Sequence, residues 1–209
     1  MAVTGLPAAG RELQGRVALV TGGAKNIGRA ISLALASAGA SVAVNTQHSR
    51  EDAHSVANEI RDAGGAAEVF VADVANGAAV QEMVGAVIER FGRVDILVLN
   101  ASIRREVLFR DITFDEWRAV MSLTLDGSFH CIKACLPSMV SAGGGNIIAL
   151  GGDGALLGSP RKSHNSTAKN GLIGLTRALA KELAEHGIRM NCVSPGNINT
   201  KVLSLCLLM

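Results

Sequence analysis

Tyrosine is absent from this chain of 209 residues, and tryptophan occurs only once. Aromatic residues make up 3% of the sequence, so a ladder of aromatic side chains for stacking nucleic-acid bases is not expected. A reaction that needs a proton donor must therefore use a group other than a phenol in this protein.

Charge and long hydrophobic runs are also scarce. The formal net charge is +2 and no basic run is present, so neither nucleic acid nor an anionic membrane is expected as a partner. The opening MAVTGLPAAGRELQG has no apolar core of signal-peptide length, and the closing VLSLCLLM is too short to span a bilayer. We therefore expect a cytoplasmic protein with no membrane segment.

The chain has four cysteines, at positions 131, 135, 192 and 206. Cys131 and Cys135 are one helical turn apart in an apolar stretch, which favours buried packing. A metal site is the alternative, but no further Cys or His stands nearby at ligand spacing. We predict neither a metal site nor a disulfide.

Short β-branched runs alternate with longer amphipathic stretches, which predicts a parallel sheet with helices on both faces. The predicted strands are residues 16–21, 41–46, 67–72, 94–100, 145–151 and 188–194. The predicted helices are residues 27–38, 50–63, 76–91, 114–141 and 164–186, with Gly39, Gly64, Gly92 and Gly187 placed where helices should end. We therefore expect one Rossmann-type, doubly wound α/β domain over residues 16–209, after a loose extension at 1–15.

A glycine-rich turn, TGGAKNIG at residues 21–28, joins the first predicted strand to the first predicted helix. Such glycines let the backbone approach a pyrophosphate, and the helix N-terminus supplies free N–H groups. A tight turn without a ligand is the alternative. The position of the turn at the start of a βαβ series favours a dinucleotide site.

This turn resembles the T-G-x-x-x-G-x-G turn of short-chain dehydrogenases/reductases, with Asn26 at the place of the middle glycine. Asparagine tolerates a left-handed backbone better than most residues, so we expect the turn to keep its shape. The general pattern is closest to that of 3-oxoacyl-acyl-carrier-protein reductases.

Three further segments match the same family in order. Asp73-Val74 resembles the acidic position that contacts adenine, and residues 99–102, LNAS, resemble the N-N-A-G segment after the fourth strand. Residues 195–200, PGNINT, resemble the P-G-x-x-x-T segment that lies along the nicotinamide. The resemblance implies cofactor contacts from Thr21, Gly22, Gly23, Lys25, Asn26, Ile27, Gly28, Asp73, Val74, Asn100, Ala101, Lys169, Pro195, Gly196, Ile198 and Thr200.

The end of the second predicted strand bears on which cofactor is bound. NAD-binding members usually place an acidic residue there to hold the ribose hydroxyls, whereas residues 45–48 of this chain are NTQH. Arg50 lies just beyond and Lys25 lies in the glycine turn, and both cations could attract a 2′-phosphate. The pattern favours NADP(H) over NAD(H). The alternative is that both are solvated surface charges.

The resemblance implies a catalytic tyrosine, a lysine four residues after it, a serine and an asparagine. Alignment on the run HNSTAK places Lys169 at the lysine position and Asn165 at the tyrosine position. The serine position falls on Gly151-Gly152, and the asparagine position is Thr124. Of the four groups, only the lysine is retained.

Two residues are candidates to replace the missing acid/base. His164 precedes the tyrosine position by one residue, but it lies about 140° around an ideal helix from Lys169. It could act only if it precedes the regular helix; a surface or capping histidine is the alternative. Asp153, just after the two glycines, is the second candidate, with a solvated or turn-capping aspartate as its alternative.

Family members usually continue past the P-G-x-x-x-T segment into substrate-covering helices and a seventh strand, whereas this sequence stops nine residues after Thr200. We therefore expect six strands, a domain truncated relative to the family, and an exposed sheet edge. Helices 114–141 and 164–186 correspond to those of the family's main dimer bundle, so a homodimer is expected.

Three functions remain open at this point. The first is an NAD(P)(H)-linked oxidoreductase that interconverts a small-molecule carbonyl and an alcohol. The second is a non-catalytic nucleotide-binding relative that acts as a sensor or as a partner subunit. The third is a shortened product without settled activity, and the substrate itself cannot be read from the sequence.

Overall fold

The computed structural model describes residues 10–200 and contains one parallel sheet of six strands in the order β3-β2-β1-β4-β5-β6. The strands are β1 (Val17–Val20), β2 (Ser41–Thr46), β3 (Ala67–Val71), β4 (Ile96–Leu99), β5 (Gly145–Leu150) and β6 (Ile188–Val193). The helices are α1 (Asn26–Ser37), α2 (Arg50–Asp62), α3 (Gly77–Phe91), α4 (Phe114–Met121), α5 (Gly127–Ser141), α6 (Asp153–Leu157) and α7 (Ser163–Glu182). The predicted Rossmann-type α/β fold is confirmed.

Both faces of the sheet are covered, which explains why its central strands read as unbroken apolar runs. In β1, Leu19 faces a core formed with α3 and α5, while Ala18 and Val20 face a second core formed with α2. All three side chains are fully buried. The helices therefore cover both faces of the sheet.

The strand order places β1 beside β4, so the chain reverses its direction of winding between these two strands. In open α/β sheets, ligands bind at the carboxyl ends of the strands at such a point. The loops after β1 and β4 therefore flank the expected ligand crevice.

The predicted helices and strands agree with the structure to within two residues at most boundaries. The glycines predicted to end helices have left-handed φ values of 98° at Gly39, 83° at Gly64, 86° at Gly92 and 70° at Gly187. The stretch predicted as one helix at 114–141 is divided by a π-helical turn at Ser122–Asp126. Two short helices were not predicted, namely α6 and a 3₁₀ turn at Phe109–Asp111.

Residues before β1 are partly docked on the domain. The Leu13 N–H donates to the Ala38 carbonyl at 2.9 Å, and the Leu13 side chain packs against the core beneath α1 and α2. The remainder of the predicted loose extension, residues 1–9, lies outside the described residues, as does the closing apolar run with Cys206.

Cys131 and Cys135 are free thiols that lie fully buried inside α5, as their apolar context predicted. Burial raises the pKa of the Cys131 thiol to about 12, and the pKa of Cys135 is raised further by burial and by its neighbour. Both thiols are therefore core residues and poor nucleophiles. Separately, no helix within residues 10–200 has the length and apolarity needed to cross a membrane.

Candidate active site

A cleft of about 400 Å³ opens at the carboxyl ends of the strands. It brings together residues from the glycine turn, from the loops after β4, β5 and β6, and from the start of α7. Among the predicted site residues, its lining contains Ile27, Asn100, Asp153, Lys169, Pro195, Gly196, Ile198 and Thr200. Five segments of the chain therefore meet in one concave site.

The glycine turn is tightly packed against the loop after β4. A Cβ on Gly28 would lie 2.1 Å from the Gly22 carbonyl oxygen and 2.6 Å from Asn100 Nδ2, distances that no side chain can occupy. Gly22 has a φ of +61°, and Asn26 has a φ of 50°. Asn26 thus adopts the left-handed conformation expected of the glycine that it replaces.

Hydrogen bonds lock this turn to the end of β4. Asn100 Nδ2 donates to the carbonyls of Thr21 at 2.9 Å and Gly22 at 3.0 Å. The Thr21 hydroxyl accepts from the N–H groups of Asn100 and Ala101, at 2.9 and 3.1 Å. Thr21 and Asn100 therefore shape the turn, and sequence reasoning had placed both among the residues contacting the cofactor.

Asn45 also stabilises the shape of the glycine turn. This role was not predicted from the sequence, because residues 45–48 were considered only for the choice between NADP(H) and NAD(H). Asn45 is 2% exposed, its Oδ1 accepts from the Gly22 N–H at 3.3 Å, and its Nδ2 donates to the Ala72 carbonyl at 3.1 Å. Its amide is thus used to join β2 and β3 to the glycine turn.

Of the two cations that were expected to attract a 2′-phosphate, Lys25 and Arg50, the lysine has a carboxylate partner. Lys25 Nζ lies 2.9 Å from Asp52 Oδ2, and both side chains are about half exposed. Arg50 begins α2 and is exposed. An exposed ion pair of this kind is weak, so a bound phosphate could compete with Asp52 for Lys25.

Asp73 and Val74 lie outside the cleft lining. Asp73 Oδ1 accepts from the Ala75 N–H at 2.9 Å and closes the turn before α3. Val74 is 3% exposed, and a Cβ on Gly127 would meet it at 2.9 Å, so its side chain belongs to the core. Contacts from this pair to an adenine would therefore come from the backbone or from the remaining Asp73 oxygen.

Lys169 projects from α7 to the end of β5. Its partly buried Nζ donates to the Leu150 carbonyl at 2.5 Å. Desolvation by burial lowers the pKa of Lys169 to about 8, against a small opposing effect from Cys192. Within residues 10–200, no carboxylate lies within 4 Å of this amine.

Asn165 lines the cleft one helical turn before Lys169, on the same face of α7. Its Nδ2 donates to the Ile103 carbonyl, and its Oδ1 accepts from the Arg105 N–H at 3.5 Å. The amide therefore ties the loop after β4 to α7, a role that a neutral side chain with both donor and acceptor can fill.

His164 does not line the cleft. Its side chain is 0% exposed, and neither ring nitrogen has a hydrogen-bond partner among the described residues. Burial lowers the pKa of His164; Glu116 raises it and Arg105 lowers it further, so the ring is neutral near pH 7. Because α7 begins at Ser163, His164 is part of the helix and does not precede it. A role in proton transfer required the second arrangement, so this geometry gives such a role no support.

Asp153 does line the cleft, at the start of α6. Its Oδ1 accepts from the Gly154 N–H at 2.6 Å, and its own N–H donates to the Pro195 carbonyl at 3.1 Å. The carboxylate is exposed, and the backbone N–H connects the loop after β5 with the loop after β6. It thus combines a turn-capping role with access to a ligand.

The two glycines at the serine position differ in the space around them. A Cβ on Gly151 would lie 2.6 Å from Ser194 Oγ and 3.0 Å from Cys192 Sγ. A Cβ on Gly152 would meet nothing within 4 Å, and its backbone is extended with φ 169°. Only the Gly152 position has room for a serine side chain.

Thr124 lies in the π-helical turn, buried behind the cleft. Its hydroxyl is 3.4 Å from that of Ser102, which lines the cleft. π-Helical turns within α-helices often occur at functional sites. The cleft also contains Arg104 and Lys162, which were not predicted from the sequence because they belong to no shared motif.

Comparison with known proteins agrees with this geometry. The family model of short chain dehydrogenase matches residues 16–205. A 3-oxoacyl-[acyl-carrier-protein] reductase from Synechocystis is 40% identical over 188 residues, which cover 90% of this chain and 76% of that protein. The 3-oxoacyl-[acyl-carrier-protein] reductase FabG of Staphylococcus epidermidis is 41% identical over 181 residues, 87% of this chain and 74% of that protein.

Solved structures give the same result. A putative short-chain alcohol dehydrogenase from Sinorhizobium meliloti superposes with a TM-score of 0.88 at 36% identity, covering 94% of this chain and 77% of that one. A dehydrogenase/reductase from the same organism gives a TM-score of 0.87 at 33% identity, covering 93% and 77%. The chain therefore belongs to the short-chain dehydrogenase/reductase family of oxidoreductases.

Proposed function

We propose that the cleft binds a nicotinamide dinucleotide and that the protein transfers hydride between this cofactor and a small carbonyl or alcohol. The observation that carries the proposal is the meeting of Ile27, Asn100, Lys169 and the Pro195–Thr200 segment in one cleft. The glycine turn and the N-terminus of α1 would receive the pyrophosphate, and Lys169 would donate hydrogen bonds to a ribose.

We propose NADP(H) rather than NAD(H) as the preferred cofactor. No acidic residue stands at positions 45–48, where a carboxylate would repel a 2′-phosphate. Arg50 is exposed at the start of α2, and Lys25 is held only by its exposed pair with Asp52. Both cations would be close to the phosphate-binding turn.

In the proposed reaction, the cofactor supplies or accepts the hydride, and the protein orients both reactants and manages one proton. By the family resemblance, Asn165 would stand at the tyrosine position and Gly151-Gly152 at the serine position, and none of these residues would donate a proton. Asp153 is the candidate acid/base that reaches the cleft, and solvent reaches it too. General acid/base groups contribute about 10²–10⁴-fold in rate, so we expect a slow enzyme.

The second candidate function is a nucleotide-binding partner or sensor without turnover. The hydrogen bonds between Asn165 and the loop after β4 favour this function. The amide then stabilises the loop and does not transfer a proton.

The test is NADPH oxidation by the purified protein with a panel of ketones and acetoacetyl thioesters, with NADH run in parallel. We expect slow turnover that is faster with NADPH, and its loss in Lys169→Met. Nucleotide binding without turnover on any carbonyl would favour the non-catalytic function. Turnover only with NADH would contradict the proposed cofactor preference.

We propose that two copies associate through α4 and α5, which lie within the stretch 114–141, and through α7. Phe129, on α5, is 48% exposed and contacts the ring of His130 and the amine of Lys133, so its exposed half could be buried by a partner. Sedimentation equilibrium should give twice the chain mass, and Phe129→Asp should give the monomer. A monomeric wild-type protein at micromolar concentration would contradict this assembly.

A further inference from the structure

Lys169 differs from the other lysines around the cleft in having no anionic partner among the described residues. Lys162, which also lines the cleft, pairs with Glu106 at 3.0 Å, and Lys25 pairs with Asp52 at 2.9 Å. The Nζ atom of Lys169 has one neutral acceptor, the Leu150 carbonyl. Among the described residues, no negatively charged group therefore lies within ion-pair distance of this amine.

The surroundings of this amine also disfavour its charged form. The side chain is partly buried between α7 and the end of β5, and burial lowers its pKa to about 8. At pH 7 roughly a tenth of the molecules then carry a neutral amine, against well under one in a thousand for an ordinary lysine. A desolvated lysine in a cleft is the form of lysine that acts as a nucleophile.

The cleft gives carbonyl compounds access to this amine. Its volume of about 400 Å³ admits a molecule of several heavy atoms, and exposed Leu157 and Ile198 form an apolar part of its wall. Asn165 and Ser166, on the same helix as the lysine, place neutral polar groups on the cleft wall. A small aldehyde or ketone can therefore enter with its apolar part against the wall and its oxygen near polar groups.

We propose that, when no nucleotide is bound, Lys169 captures small aldehydes and ketones as an imine. The neutral amine attacks the carbonyl carbon and forms a C–N bond, giving a carbinolamine after one proton moves from nitrogen to oxygen. The hydroxyl then takes up a proton from solvent and leaves as water while the nitrogen lone pair forms the C=N bond, and the nitrogen returns one proton to solvent. The step is reversible, involves no oxidation or reduction, and requires only proton exchange with solvent. This activity goes beyond hydride transfer and does not depend on nucleotide binding.

Reductive trapping tests the proposal directly. The folded wild-type protein is incubated at pH 7 with limiting butanal and sodium cyanoborohydride, which reduces the imine to a stable secondary amine. We expect one lysine adduct per chain, with the mass of butanal less one oxygen atom, counted separately from any adduct on the N-terminal amine, whose ordinary pKa is about 7.7–8.0. Peptide mapping should place the adduct on Lys169. This lysine should be labelled at least about tenfold faster than exposed Lys133 and Lys181.

The pH profile and two matched variants separate this capture from general lysine modification. The ratio of Lys169 labelling to surface-lysine labelling should be steady below about pH 8 and fall above it, because only the surface amines then continue to lose protons. Lys169→Arg should abolish the fast labelling, and Lys162→Arg should retain it, both checked for folding by circular dichroism. Peptide mapping of the wild type locates the site even if a variant fails to fold. Labelling spread evenly over all lysines of the wild type would overturn the proposal.

Discussion

Replacing Gly28 by alanine should abolish dinucleotide binding and lower the free energy of unfolding by about 3 kcal/mol. The added Cβ would lie 2.1 Å from the Gly22 carbonyl oxygen and 2.6 Å from Asn100 Nδ2. The obstacle is mainly backbone, so it cannot be relieved by rotating a flexible side chain. Either α1 moves away from the turn or Asn100 loses its two hydrogen bonds to the carbonyls of Thr21 and Gly22.

Gly85→Ala is the matched control for this substitution. Gly85 is also in a helix, α3, but its added Cβ would meet nothing within 4 Å. Alanine is preferred over glycine inside helices, so this variant should be more stable by about 0.5–1 kcal/mol and should bind nucleotide normally. Urea unfolding and NADPH titration measure both effects. Normal stability and binding in Gly28→Ala would show that the turn is not packed as described.

The double substitution Gly152→Ser and Asn165→Tyr should raise the rate of carbonyl reduction by about 10²–10⁴-fold. Position 165 lies one helical turn before Lys169 and lines the cleft, so a phenol there would share its face of α7 with the ammonium. A nearby positive charge lowers a phenol pKa and makes proton exchange easier near neutral pH. Position 152 has room for the serine hydroxyl, whereas Gly151 does not.

The combination of Gly152→Ser with Asn165→Phe is the control for the phenol. It introduces the same ring without the hydroxyl, and it also removes the hydrogen bonds from Asn165 to the loop after β4. Steady-state rates with NADPH and a ketone, together with binding of NADPH, separate chemistry from binding. We expect the tyrosine variant alone to gain rate. Equal rates in both variants, with NADPH bound by both, would show that a missing proton donor does not limit the reaction.

The fold could be predicted from the sequence largely because its signals are local. Strand β2 was predicted to the residue, since buried parallel strands read as apolar runs between helix-ending glycines. The left-handed backbone at Asn26 followed from the known tolerance of asparagine for that conformation. The five-residue helix α6 was missed, because so short a helix has no periodic pattern.

The site was harder to predict, because its contacts join residues that are distant in sequence. The ion pair of Lys25 with Asp52 and the hydrogen bonds of Asn45 depend on how α2 and β2 meet the glycine turn. The orientation of His164 depends on which side of α7 faces the core, and no motif specifies this. The depressed pKa of Lys169 likewise arises from burial that appears only in the folded chain.

The measurement that tests the central claim most directly is titration of the purified protein with NADPH, followed by nucleotide fluorescence, with NADH in parallel. The account predicts saturable binding with a stoichiometry of one per chain, tighter for NADPH than for NADH, and lost in Gly28→Ala but retained in Gly85→Ala. A folded protein that binds neither nucleotide would contradict it, because the cleft that joins Ile27, Asn100 and Lys169 would then not be a dinucleotide site.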